Sequence, residues 1–367
     1  MKSILLLACL AVAGFAAQWN ALPQSGTAPS PRESAVMGHL RDYRLIVAQG
    51  YQQDFTSDFG AIAFYNDSFI YHIQTDVWNK INSSGPSNRT FHSGASDLKH
   101  NKFYVFGGLT FPPTIFPITV FSDLWAFDGY TNQWSLVPQN NAGPGDRAGS
   151  CMVVDDGILY VSFGLSDDFN THNDMWKFDT VSGLWTQLLA DDPTDNGVPH
   201  RRYRIPCALT QKGNGNAKGI IIHSGDLILG DSAAPQNDTW IFHIKQNKWE
   251  LLNTGLENRQ DSIGVFANGN YYVAFGDTES PVGRCVNNAT GVGNNIQNNQ
   301  WTLPISNTHT WNQVATLNTP VATMRMAFTV VENVLYTWGG FSWGCTVPGD
   351  GTAVSNTILN SLDLEDI

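Results

Sequence analysis

Short apolar runs separated by turn residues set the pattern of this chain. Leu45-Ile46-Val47-Ala48, Phe103-Tyr104-Val105-Phe106, Ile158-Leu159-Tyr160-Val161, Ile220-Ile221-Ile222 and Tyr271-Tyr272-Val273-Ala274 are typical, and each is followed within a few residues by Gly. Runs this short, rich in β-branched and aromatic residues, predict strands and not helices. Because they are continuous and not alternating, the sheets they form are expected to bury both faces.

The runs belong to a repeat. An Arg opens each unit and an apolar strand ending in Gly follows. Then come Asp/Asn-x-Trp-x-Phe and Trp-x-x-Leu strands. Arg147, Gly164, Asp174-Met175-Trp176-Lys177-Phe178 and Trp185-Thr186-Gln187-Leu188 form the clearest copy. Arg89 and Arg202 open its neighbours, and Arg32, Arg259 and Arg325 open three more worn copies, at spacings of 55 to 66 residues. Six units of four short strands predict an all-β, single-domain, six-bladed β-propeller over 18–367. The repeat arginines, Arg325 among them, are read as scaffold that satisfies carbonyls near the axis. The sixth copy ends at Ile367 without a Trp-x-x-Leu strand, and Gln18-Trp19-Asn20-Ala21-Leu22 supplies the missing pattern at the other end. The N-terminal strand is therefore expected to complete the last blade, since an unclosed ring exposes two sheet edges.

Residues 1–17 read differently. Lys2, an apolar stretch from Ile4 to Phe15 and the small residues Ala16 and Ala17 have the parts of a signal peptide, which predicts a secreted, extracellular protein. The stretch is too short to span a bilayer, so no membrane span is expected. Asn66, Asn82, Asn88, Asn237 and Asn288 head Asn-X-Ser/Thr sequons and are candidate N-glycosylation sites. Without Cys9 an even number of cysteines remains. Cys285 and Cys345 follow the second strands of adjacent copies in long Gly-rich connections and are expected to form a disulfide. Cys151 and Cys207 are read as small buried thiols.

Composition narrows the partners. Charged residues are 14% of the chain against roughly 25% in ordinary soluble domains, and the formal net charge is −12. A nucleic-acid partner is thereby disfavoured. No cofactor or phosphate-binding motif is present, and a monomer is expected.

The double glycines of Phe106-Gly107-Gly108 and Trp338-Gly339-Gly340, the Asp-x-Trp-x-Phe strands and the Trp pairs nine residues apart resemble the Kelch repeat, over nearly all of 18–367. Similarity to Kelch substrate adaptors implies that two positions per blade point into the mouth of the axial channel. They lie two past the repeat arginine and just past the glycines. The first set is Ser34, Phe91, Gly149, Arg204, Asp261 and Ala327; the second is Tyr51, Leu109, Leu165, Asp226, Asp277 and Phe341. Tyr51, Phe91, Arg204, Asp226, Asp261, Asp277 and Phe341 are the candidate ligand-binding residues, with Arg204 able to neutralise Asp226 or Asp261. Because no complete catalytic set can be assembled, the leading expectation is an extracellular binding module for a glycan or protein. The alternative is a secreted carbohydrate-active enzyme, mutarotase-like or oxidase-like. Galactose-oxidase-like copper residues show no recognisable arrangement. The iron motif of plant nitrile-specifier proteins breaks off after Glu257 and Asp261, where Val265 stands in the His position.

Overall fold

A computed structural model of the chain describes residues 17–53, 62–112, 117–210, 218–226, 236–278, 286–288, 291–293, 296–305, 308–344 and 352–367, with backbone alone for 286–288, 291–293, 343–344 and 352–354. Six antiparallel sheets follow one another along it. In the second, Ser93–Asp97 lies innermost, followed outward by Lys102–Phe106, Leu124–Asp128 and Gln133–Leu136. The first strand of each sheet touches the first strands of the sheets before and after it, and the sixth, Ala327–Val331, returns to the first, Val36–Leu40. The protein is a closed six-bladed propeller. Its apolar runs are buried on both faces between blades, as in Leu45-Ile46-Val47-Ala48, where every residue is 0% exposed.

The ring closes as the sequence predicts. Trp19–Ala21 pairs antiparallel with Asn360–Asp363 as the outermost strand of blade six. The same segment goes further than expected. Leu317 N donates to Ala17 O on one side, and Ser25–Gly26 adds a parallel fifth strand to blade one on the other.

Blades one to four are each pinned by a buried arginine on an aspartate. Arg89 donates to Gly107 O at 2.9 Å and to both carboxylate oxygens of Asp123, at 2.6 and 2.9 Å. Arg147 holds both carboxylate oxygens of Asp174 and Arg202 both of Asp238, while Arg32 reaches one oxygen of Asp67 and Lys80 lies 3.3 Å from the other. Trp125, Trp176 and Trp240 donate Nε1 to the same aspartates. The Asp-x-Trp motif is thus the counter-ion site of the repeat arginine, a role the sequence reading left out. Around the axis the second glycine of one blade donates to the arginine carbonyl of the next. Gly108 N to Arg147 O is 2.7 Å and Gly340 N to Arg32 O is 2.9 Å. A side chain cannot stand at Gly108: its φ is +92°, and a Cβ would lie 2.8 Å from Thr90 O.

This ring corrects one expectation. Gly276 N donates to Thr323 O, so Thr323, not Arg325, occupies the scaffold position of blade six. From the register of Thr337 on Asn360, Ile358 stands where blade two has Asp123. Arginine and aspartate are both gone from blade six, which leaves no buried charge without a partner.

Blade five lost only the acid. Asn299 stands in the aspartate position; Arg259 turns to Glu257 instead, and Trp301 Nε1 and Asn299 Oδ1 are buried without hydrogen bonds. Replacing Asn299→Asp should restore the Arg–Asp–Trp contact. A charge-assisted bond of about 1.5–3 kcal/mol would raise Tm by about 2–4 °C in calorimetry. An unchanged or lower Tm would show that Glu257 already does the work.

The cysteines give a second correction. Cys151 and Cys207 are joined in a disulfide, with Cα atoms 5.9 Å apart. They open the innermost strands of blades three and four, and ring geometry brings those strands side by side within disulfide reach. Cys285 and Cys345 lie outside the described residues.

Candidate functional site: the charged mouth

Where the chain enters each innermost strand, one residue turns to positive φ. These are Ser34, Phe91, Gly149, Arg204, Asp261 and Arg325, with φ between 50° and 63°. Their backbones hydrogen bond from blade to blade: Ser34 N to Arg325 O at 2.9 Å, Arg325 N to Asp261 O at 3.1 Å and Arg204 N to Gly149 O at 2.8 Å. Six positions, five of them with side chains, are thereby gathered around the axis. Arg325 belongs to this set, which displaces Ala327 from it. Beneath lies an axial cavity of about 210 Å³, lined in part by Arg204, Asp261 and Arg325.

Blades one, four, five and six bring charged side chains to the mouth. Arg325 donates Nε to Asp261 at 2.9 Å, and Nη1 to Glu33 at 2.8 Å and to the Tyr51 hydroxyl at 2.7 Å. Arg204 Nη1 lies 3.3 Å from Asp226 and 3.5 Å from Asp261. Both guanidinium groups sit on the Phe91 ring, at 4.5 and 5.2 Å from its centre. Burial works against the Arg325 charge, yet Tyr51, Asp261 and Glu33 around it hold its pKa well above the ordinary value. Burial pushes Glu33 up, against the pull of Arg325.

Asp277 is the exception. Its Oδ1 is buried and has no hydrogen bond among the described residues. The Gln260 amide between it and Asp226 reaches Asp277 Oδ2 only at 3.4 Å; turned over, it donates to Asp226 at 2.7 Å. Burial first, and then the charge of Asp261, raise the Asp277 pKa.

The seven candidate residues therefore do meet at one mouth, but in unequal roles. Asp226 and Asp261 are engaged by arginines, so they are not free for a ligand. Tyr51 is 3% exposed and packs on Phe64, Phe91 and Phe111 with ring centres 5.7 to 6.1 Å away. Phe341 lies under Arg325. Glu33 and Arg325 were missed, although Glu33 adjoins a repeat arginine and shares the blade ladder with Tyr51.

Catalytic arrangements fare less well. Ser166, His172 and Asp191 stand in hydrolase order, with Oγ to Nε2 at 3.2 Å and Nδ1 to Asp191 at 3.1 Å. The Ser166 hydroxyl, however, donates to Asp168 at 2.6 Å. The amides of Ser166 and Asp167 are used by Asn170 O and Asp146, so neither can serve a developing oxyanion. These contacts staple the 165–172 loop. Glu257 and Asp261 are held by Arg259 and Arg325, and Val265 is buried. Among the described residues no group of three His, Cys, Asp or Glu side chains converges for a metal.

Comparison with known proteins agrees with the architecture. Residues 9–214, more than half of the chain, match the family model described as the KLHDC2/KLHL20/DRC7 Kelch-repeats domain. Kelch domain-containing protein 10 of Xenopus tropicalis is 26% identical over 164 residues, 44% of this chain and 39% of the relative. The N-(sulfonatooxy)prop-2-enimidothioate sulfolyase of Thlaspi arvense is 33% identical over 129 residues, 34% of each chain. Protein ral2 of Schizosaccharomyces pombe is 36% identical over 76 residues, 20% of this chain and 12% of the relative. The matches thus span well under half of these relatives' lengths. Six blades, the arginine pins of the first four and the matched domain lead to one assignment: the chain belongs to the Kelch-repeat family.

Proposed function

We propose that this propeller is a secreted protein-binding module whose acidic mouth takes a basic segment of an extracellular partner. Kelch propellers are protein-interaction scaffolds in general, and the mouth gives this one its preference. One observation carries the reading: among the described residues Glu33, Asp226, Asp261 and Asp277 face two arginines there, and none of these cations contacts the Asp277 carboxylate. A lysine or arginine side chain fits that deficit, and steering by the surplus charge would speed its approach at low salt. The Cys151–Cys207 disulfide supports an oxidising compartment. Among the described residues no helix is long and apolar enough to cross a membrane. A glycan fits less well, because the Phe91 ring that could serve as a sugar platform is covered by Arg204 and Arg325.

Selection of displayed random peptides on the wild-type protein, with counter-selection on Asp277→Asn, tests this. Recovered sequences should be enriched in Lys and Arg. Acidic or neutral sequences, or a set equally retained by Asp277→Asn, would overturn the proposal; glycans bound in place of peptides would favour the carbohydrate alternative.

A further inference from the structure

We infer that Asn66, Asn82, Asn88 and Asn237 carry N-linked glycans around the rim of the mouth, and that three of the four are filled only before the blades close. This rests on the secreted reading above. All four asparagines are exposed. Asn66 and Asn237 immediately precede Asp67 and Asp238, the counter-ions of Arg32 and Arg202, and Asn88 immediately precedes Arg89. Asn82 follows the outer strand Val77–Lys80, at the end where Lys80 reaches Asp67. The sequons therefore share the face of the propeller that holds the mouth. Asn288 lies where side chains are not described.

The second half follows from the hydroxyl two residues on. In the transfer, the asparagine amide nitrogen attacks the anomeric carbon of a lipid-pyrophosphate-linked oligosaccharide. The N–C bond forms, the lipid pyrophosphate leaves, and the amide gives up one proton. The sequon Ser or Thr must be presented to the transferase for this step. Ser68 is 3% exposed and accepts from Trp134 Nε1 at 3.2 Å. Thr239 is 0% exposed and bonded to His223 Nδ1 at 3.0 Å, and Thr90 is 0% exposed as well. Each belongs to a finished blade. Ser84, which serves Asn82, is exposed. Of these four sequons, the folded propeller thus offers one complete and hides the reading hydroxyl of three.

Two measurements test this on the full chain. First, protein secreted by eukaryotic cells, with leader removal established by N-terminal sequencing, is treated with peptide N-glycosidase in heavy-oxygen water. Labelled aspartate is expected at 66, 82, 88 and 237; unmodified peptides there overturn the assignment. Retention of the leader inside the cell would instead overturn the secreted reading on which it rests. Second, folded aglycosylated protein is incubated with oligosaccharyltransferase and its lipid-linked donor. Asn82 should be modified at least about tenfold faster than Asn66, Asn88 and Asn237, whose modification waits on local opening. Equal rates at all four would overturn the order of events.

Discussion

Trp19→Ala is expected to lower Tm by about 4–7 °C, and removal of residues 17–26 to lower it further and promote aggregation. Trp19 is 1% exposed and packs edge-on against Phe275 at 5.5 Å. Its Nε1 reaches Gln300 of blade five at 3.2 Å, while its backbone pairs with Leu362 of blade six. A buried Trp reduced to Ala costs about 3–5 kcal/mol, and a chain of this length unfolds with roughly 0.7 kcal/mol/K of entropy, which sets the Tm shift. The deletion also removes Gln24, whose side chain links Thr357 O to Trp78 of blade one, and opens the edge of Asn360–Asp363. Thermal denaturation followed by near-ultraviolet dichroism measures both. A deletion variant as stable as the full chain would mean that the ring is held elsewhere.

Arg325→Met should cost about 3–5 kcal/mol at pH 7.5, because it strands a buried carboxylate. Glu33 is 4% exposed on its side chain and has Arg325 as its cation. Burial already raises the Glu33 pKa, and losing Arg325 raises it more. With the folded pKa above the unfolded one, the folded state binds the extra proton, so stability falls as pH rises between the two values. The deficit of Arg325→Met against wild type should therefore shrink from pH 7.5 to pH 5. Adding Glu33→Gln should recover most of it at pH 7.5, since both partners then leave together. Chemical denaturation at the two pH values decides; a loss independent of pH and unrelieved by Glu33→Gln would contradict the buried-pair account.

The fold was legible because the repeat has a physical cause. Sheets buried on both faces need continuous apolar strands, and the axis needs glycine, so both leave marks in every copy. The closing strand was legible for the same reason: Trp19 keeps the pattern its blade lacks. Arg325 was misread because blade six has Thr323 and Ile358 in place of the arginine and its aspartate. A mouth arginine two residues on then filled the gap in the pattern. The Cys151–Cys207 bond could not be read from spacing, since it joins strands that become neighbours only through the ring. The mouth residues were found by position, but their division into paired and unpaired charges depends on distances such as those from Arg204 to Asp226 and Asp261. No repeat periodicity carries that information.

The mouth as a site for basic segments is tested most directly by titrating one Lys- or Arg-containing peptide from the selection into wild type and Asp277→Asn at pH 7.5 and pH 5.5. Asp277 suits this because among the described residues no arginine contacts its carboxylate, and its backbone bonds to Gln260 survive the change. Among the described residues the charged groups facing it are Asp261, Arg204 and Arg325. The account predicts at least about tenfold weaker binding to Asp277→Asn at pH 7.5, the scale of one charge-assisted bond. It also predicts weakening of wild type on acidification, as the raised Asp277 carboxyl takes up its proton, and little pH response in the variant. Equal affinities for wild type and Asp277→Asn, or tighter binding at the lower pH, would contradict it.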